Sequence, residues 1–296
     1  MKWTNVSFLI CIFLCATLST KAVKGAEEDV FFVPDSLYEN GDFFEASIAL
    51  ERIIYMSEDP RERVLANLKK ADALKQMGDF ARARRDLQRS MTYRADDALQ
   101  KEVLYQLAFC AFMDGDYEGA NGILMQVRHA YEDLVSQRFL LLEGMVMVEQ
   151  SRWEELRRHV VEWVEKAAEH PGLLDEVKSR YDSLMDDPGP PEMKNPERAR
   201  LLSTFLPGAG QIYAGETGWG LLNAASQLTG LAAFGVLAWQ GYYMAGIFAG
   251  LGSFQAFYFG GIRQAGDFAE EYNNSRLESF RAAMGEFLLY VADVTK

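Results

Sequence analysis

Two adjacent stretches of this chain carry no charge. Gly218–Gln240 and Tyr242–Ile262 contain no Asp, Glu, Lys or Arg, and only Gly241 separates them. As a helix, each is long enough to cross a bilayer core of about 30 Å. The connecting "WQGYY" supplies a tight turn with aromatic residues suited to a membrane interface. This pattern predicts a transmembrane helical hairpin. Elsewhere, apolar residues recur at helical spacing. Leu50, Ile53 and Ile54 form one set, Leu68, Ala71 and Leu74 a second, and Leu104, Leu107, Ala108 and Ala111 a third. Leu277, Phe280, Met284, Phe287 and Val291 mark an amphipathic helix within residues 265–296. That helix is expected to pack on the earlier helices or to lie on the membrane surface. The expected fold class is all-α.

Four short segments between the helical patterns align with one another. They are "ENGDFFEA", "QMGDFARA", "MDGDYEGA" and "EQSRWEEL". Gly41, Gly78, Gly115 and Ser151 follow each other at intervals of 37, 37 and 36 residues. An aromatic stands two residues after each: Phe43, Phe80, Tyr117 and Trp153. A small residue stands five after each glycine: Ala46, Ala83 and Ala120, with Leu156 breaking the pattern. Glycine accepts the left-handed conformation that ends a helix, and the following Asp caps the next one. The small residue lets two antiparallel helices approach closely.

This pattern, G-(D)-(Y/F)-x-x-A, resembles the tetratricopeptide repeat over roughly residues 34–185, at a period slightly longer than that family's. The resemblance implies a helical-repeat solenoid over residues 27–187. It also implies a concave face that binds protein or peptide partners, without catalytic residues of its own. Carrying the phase over places Tyr38, Lys75, Gln76, Tyr105, Phe109, Phe112 and Met145 on the inner helices as a candidate partner-binding face. Aromatic and Met residues there would suit an apolar peptide or a partner helix. An aromatic stripe at helical spacing also fits internal packing.

"DDPGPPEMKNP" cannot continue a helix and reads as a linker over residues 188–197. Residues 198–264 then hold a membrane-inserting turn and the hairpin. The turn, "FLPGAGQIYAG", resembles a P-G-x-G-Q-x-Y-x-G motif of uncharacterised bacterial membrane proteins. Pro207, Gly208, Gly210, Gln211, Tyr213 and Gly215 all match it. The resemblance implies architecture, not an activity. A phosphate-binding reading lacks the lysine and the preceding strand that a Walker loop needs. Within the hairpin, Gly230, Ala233, Gly235, Ala245/Ala249 and Gly246/Gly250 offer small faces for close helix contact. Asn223, Ser226, Gln227, Thr229, Ser253 and Gln255 are expected to tie helices together.

At the N-terminus, Lys2 precedes an apolar core from Val6 to Leu18. Residues 1–22 therefore read as a signal peptide, or as an anchor if uncleaved. Either reading predicts export of the repeats to the periplasmic side of a bacterial inner membrane. Arg198, Arg200 and Arg263 flank the hairpin on one side and argue the opposite orientation, but charge bias weakens for long translocated domains.

The formal net charge of −13 argues against a nucleic-acid surface. Of three cysteines, Cys110 alone lies outside the N-terminal apolar run and is expected to be a small core residue. His129, His159 and His170 show no metal-ligand spacing. No catalytic constellation, cofactor or metal site is expected. The expected function is a non-enzymatic envelope scaffold that binds a protein partner and the lipid bilayer. The second reading is a subunit of a membrane transport or insertion assembly, with helix–helix association in the membrane.

Overall fold

The computed structural model describes residues 30–90, 97–130, 136–167, 172–187 and 189–295. The proposed signal segment 1–22, with Cys11 and Cys15, lies outside them. Among the described residues the chain forms helices and no strand. It divides into two compact units: Met1–Tyr181 with Met284–Lys296, and Asp182–Ala283.

The first unit is built from helix pairs: α1 (Phe32–Glu39) with α2 (Phe43–Met56), α3 (Pro60–Gln76) with α4 (Phe80–Ser90), α5 (Asp97–Met113) with α6 (Tyr117–Ala130), and α7 (Gln137–Glu149) with α8 (Trp153–Ala167). α9 (Leu173–Asp186) follows. One turn joins the two helices of every pair. Gly41, Gly78 and Gly115 have φ of 85°, 75° and 82°, and Ser151 takes the same left-handed conformation at 56°. In each turn the next residue's N–H donates to a carbonyl five residues back. The four bonds are Asp42 to Leu37 (2.9 Å), Asp79 to Leu74 (3.0 Å), Asp116 to Ala111 (2.9 Å) and Arg152 to Met147 (2.9 Å). This closes the orphan carbonyls of each first helix. The degenerate fourth segment thus keeps the backbone of the other three despite a strained serine.

The expected Asp cap forms at two of the three glycine turns. Asp79 Oδ1 accepts from Arg82 N at 3.0 Å, and Asp116 Oδ1 accepts from Gly119 N at 2.9 Å. Asp42 makes no such side-chain bond. Ala46, Ala83, Ala120 and Leu156 are each 0 % exposed, at the contact between paired helices. Two apolar clusters fill the interior. One joins Val64, Leu74, Leu87, Val103 and Cys110; the other joins Tyr105, Phe109, Leu124, Phe139 and Val146.

The second unit contains α10 (Pro196–Phe205), the short α11 (Ala209–Ala214) and α12 (Thr217–Trp239), then most of α13 (Tyr243–Val294). α13 is continuous, with a π-helical stretch at Gly246–Leu251. The second uncharged run and the amphipathic tail are therefore one helix with no break between them. α12 and α13 are each long and apolar enough to cross a membrane, and only 17 % of the residues in the apolar stretch of each are buried.

The last turns of α13 belong to the first unit. Met284, Phe287, Leu288 and Val291 are at most 2 % exposed. Leu288 lies over Gly144 of α7, where an added Cβ would meet its methyl groups at 3.0 Å. Tyr181 of α9 packs edge-on against Phe287 with ring centroids 5.8 Å apart. Gln137 donates to the carbonyl of Ala292 and, at 2.9 Å, to Thr295 Oγ1. The chain's own C-terminus thus covers the first helix of the fourth repeat.

Candidate partner-binding and membrane-inserting sites

The residues expected on the inner helices separate into two layers. Tyr105, Phe109 and Met145 are 3 %, 2 % and 3 % exposed, so they are packing residues and not an open aromatic groove. Tyr105 stacks with Phe109 at 6.4 Å between centroids and meets Phe139 edge-on at 5.0 Å. Their burial follows from the helix behind them: Phe80 opens α4, the second helix of the preceding repeat, and closes on Phe109 at 6.5 Å. Phe112 is half-buried against Tyr117 at 5.6 Å.

Tyr38 and Gln76 lie nearer the surface, whereas the Lys75 side chain is only 7 % exposed, and further polar side chains join them. Gln76 Nε2 donates to Tyr38 Oη at 3.2 Å across two repeats. Lys75 Nζ pairs with Asp72 at 2.6 Å, donates to Gln106 Oε1 at 2.5 Å, and stands 5.5 Å from the Phe109 ring centroid. Gln106 Nε2 donates to Glu102 Oε1 at 2.8 Å, and Glu102 pairs with Arg138. Arg138 in turn lies 4.4 Å over the Tyr105 ring. A ladder of alternating charge therefore crosses α3, α5 and α7, roofing the aromatic layer. Sequence reasoning missed Asp72, Glu102, Gln106 and Arg138. Their signal was the i, i+3 and i, i+4 polar spacing on otherwise apolar helices.

A second polar cluster is internal. His159, 4 % exposed, donates from Nε2 to the carbonyl of Leu140 at 2.8 Å. Its Nδ1 then accepts from Arg128 at 3.3 Å, and Arg128 also pairs with Glu143 at 2.7 Å. Burial holds the imidazole pKa below its ordinary value, and the nearby Glu143 only partly opposes this. Cys110 is wholly buried, and burial pushes its thiol pKa up to about 12. It is an inert core residue. Among the described residues no cluster of His, Cys, Asp or Glu could hold a metal ion.

The motif residues converge on one knot. Pro207 and Gly208 sit in the turn between α10 and α11, and Gly208 has φ of 86°. A Cβ on Gly208 would lie 2.1 Å from the carbonyl oxygen of Gly220, so α12 passes directly against the turn. A Cβ on Gly210 would lie 2.0 Å from the carbonyl oxygen of Ala199 and 2.4 Å from Ser203 Oγ. These glycines make room for the chain's own backbone. Gln211, fully buried, accepts from Ser203 Oγ at 3.0 Å and donates to the Gly261 carbonyl at 2.9 Å. Ser203 Oγ also accepts from Gly210 N at 3.1 Å. Tyr213 Oη accepts from Asn195 N at 3.1 Å, and Gly215, with φ of 104°, ends α11. The arrangement ties α10, α11 and α13 together while turning the chain into α12.

The hairpin interface is a narrow stripe. Gly220, Asn223, Gln227 and Gly230 of α12 face inward. On α13 the Gly246/Gly250 register is buried, whereas Ala245 and Ala249 are exposed. A Cβ on Gly250 would lie 2.6 Å from Phe234 N. Of the uncharged polar residues, only Asn223 and Gln227 lie between the helices. Thr229 and Ser253 bond back to carbonyls of their own helices at 2.8 Å and 2.6 Å.

A family model for the tetratricopeptide repeat matches residues 102–133, which cover α5 from Glu102 onward, its glycine turn and α6. The repeats are of tetratricopeptide type. No curated protein and no solved structure matches the chain. The same left-handed turn recurs on both sides of the matched segment, at Gly41, Gly78 and Ser151. Repeats of this type are protein-interaction scaffolds and are generally non-enzymatic.

Proposed function

We propose that this chain is a non-enzymatic scaffold of the bacterial cell envelope. Its repeats bind a protein or peptide partner, and the α12–α13 hairpin holds it in the inner membrane with the repeats on the periplasmic side. The observation that carries the reading is the combination of an interaction-type repeat array with two long helices whose apolar surfaces face outward. Leu228 is 68 % exposed, Val236 56 % and Phe248 73 %, an arrangement that lipid would cover. The export reading rests on the N-terminal pattern of Lys2 and the Val6–Leu18 core.

The partner surface is the polar ladder of Asp72, Lys75, Glu102 and Arg138 together with Tyr38 and Gln76. It favours a peptide with charges of both signs over an apolar helix. The C-terminal turns of α13 cover the Gly144 side of α7, so the partner engages the first three repeats and Arg138 at the start of α7. A photo-crosslinker placed at Gln76 should give an adduct in intact cells that Lys75→Glu or Arg138→Glu removes. The same probe at Met125, on the far helix α6, should give none. Equal adducts from both positions would overturn the partner surface. Alkaline extraction that releases the full chain from membranes would overturn the hairpin anchor.

One observation favours the second reading, a subunit of a membrane transport or insertion assembly. Gln255 is exposed midway along the second uncharged run, and its amide has no partner among the described residues. In lipid such an amide gains from a neighbouring helix.

A further inference from the structure

The base of the hairpin holds a cavity of about 380 Å³ between α12 and α13. Its walls divide by chemistry. Leu222 and Phe257 line the apolar side, continuous with the exposed faces of the two helices. Trp219, half exposed, stands at the mouth, the position an indole takes at a bilayer interface. Asn223 forms part of the inner wall. It is 6 % exposed, and its Nδ2 has no hydrogen-bond acceptor. Gln227 Oε1, one turn along, is likewise without a donor, so the two neighbouring amides form a polar floor beneath the cavity.

The rim carries two opposite charges. Arg263 and Asp267 are exposed, and both line the cavity. Residues four apart on a helix are well placed to pair. Here neither has an ion-pair partner among the described residues. The other arginines near the hairpin are engaged: Arg200 with Glu197 and Glu270, and Arg198 over the Tyr213 ring at 5.5 Å. Beyond Asp267 the groove continues along Glu270, Glu271 and Glu278, an acidic surface.

We propose that this cavity binds the head group of a zwitterionic amine phospholipid. The phosphate sits on Arg263, whose planar fork matches phosphate oxygens. The ammonium sits on Asp267, one helical turn away. The glycerol end lies over the polar floor at Asn223, and the acyl chains run over Leu222 and Phe257. An anionic glycerol head group offers the same phosphate, but it has no cation for Asp267 and faces the acidic groove. The proposal rests on the hairpin spanning a bilayer.

The test uses the full chain in detergent, offered equal amounts of phosphatidylethanolamine and phosphatidylglycerol and examined by native mass spectrometry. The expected result is preferential retention of phosphatidylethanolamine. Asp267→Asn should abolish that preference without lowering phosphatidylglycerol retention. Arg263→Gln should lower retention of both lipids about tenfold, the scale of one charge-assisted hydrogen bond. Equal retention of the two lipids by the native chain, or unchanged retention by Arg263→Gln, overturns the site. Flotation with phosphatidylcholine vesicles separates the two ways of failing. A chain that floats but shows no lipid preference loses only the head-group site. A chain that does not float loses the membrane anchor and the site together.

Discussion

Gln211 Nε2 donates to the carbonyl oxygen of Gly261 at 2.9 Å, joining the short α11 to the long α13 across fifty residues of sequence. The same amide accepts from Ser203 Oγ of α10. One fully buried side chain therefore donates to a carbonyl of the long helix and positions the turn before the first long helix. Removing it takes the acceptor from the buried Ser203 hydroxyl and one donor from the Gly261 carbonyl.

Gln211→Leu should destabilise the full chain in detergent by about 1–3 kcal/mol, the cost of losing two buried side-chain hydrogen bonds. Thermal unfolding followed by circular dichroism reads this directly. An unchanged melting temperature would mean that the amide does not hold the knot.

The glycines differ sharply from one another. Gly210→Ala forces a Cβ to 2.0 Å from a carbonyl oxygen, whereas Gly235 has nothing within 4 Å of that position. Gly210→Ala should therefore lower the yield of folded chain or its melting temperature strongly. Gly235→Ala should stay within about 1 kcal/mol of the native chain. Similar behaviour of the two variants would contradict the close approach.

Leu288 is fully buried over Gly144. Leu288→Ala should cost about 2–5 kcal/mol, as expected for a large core side chain. The loss should appear as earlier protease cleavage within α7 and α9, the helices this end of α13 covers. Cleavage at the native rate would show the C-terminal turns to be dispensable for the repeats.

Phe109→Ala should cost about 3–5 kcal/mol of stability, because the ring is core. Gln76→Ala, at the surface, should leave melting within about 0.5 kcal/mol. Native-like melting of Phe109→Ala would restore that ring to the partner face.

His159 gives a pH prediction. Its folded pKa lies below the unfolded value of 6.5, chiefly through burial. Below pH 6.5 the unfolded chain binds the proton first, so stability falls as the solution is acidified toward the folded pKa. Charged neighbours face the ring from three helices: Arg128 of α6, Glu143 of α7 and Glu162 of α8. The melting temperature should fall as the pH is lowered through 6.5, and His159→Gln should flatten that slope. An equal slope in the variant would assign the acid sensitivity to other groups.

Much of this architecture was written locally. Gly41, Gly78 and Gly115 specify left-handed turns because other residues pay for positive φ, and the spacing of those turns reveals the repeats. The absence of charge over Gly218–Ile262 identifies the two long apolar helices, since length and composition alone determine whether a helix suits a bilayer. Tertiary structure decided which faces those helices use. Tyr105 and Phe109 share a stripe that equally fits a groove or a core, and only the approach of Phe80 and Phe139 buries it. Gly246/Gly250 and Ala245/Ala249 are equivalent registers in sequence, and only contact with Phe234 selects the glycines. Gln211 advertises a polar contact, but its partner is a backbone carbonyl, and a carbonyl has no sequence signature. Periodicity is a property of neighbours along the chain, whereas burial is set by residues brought alongside from elsewhere in it.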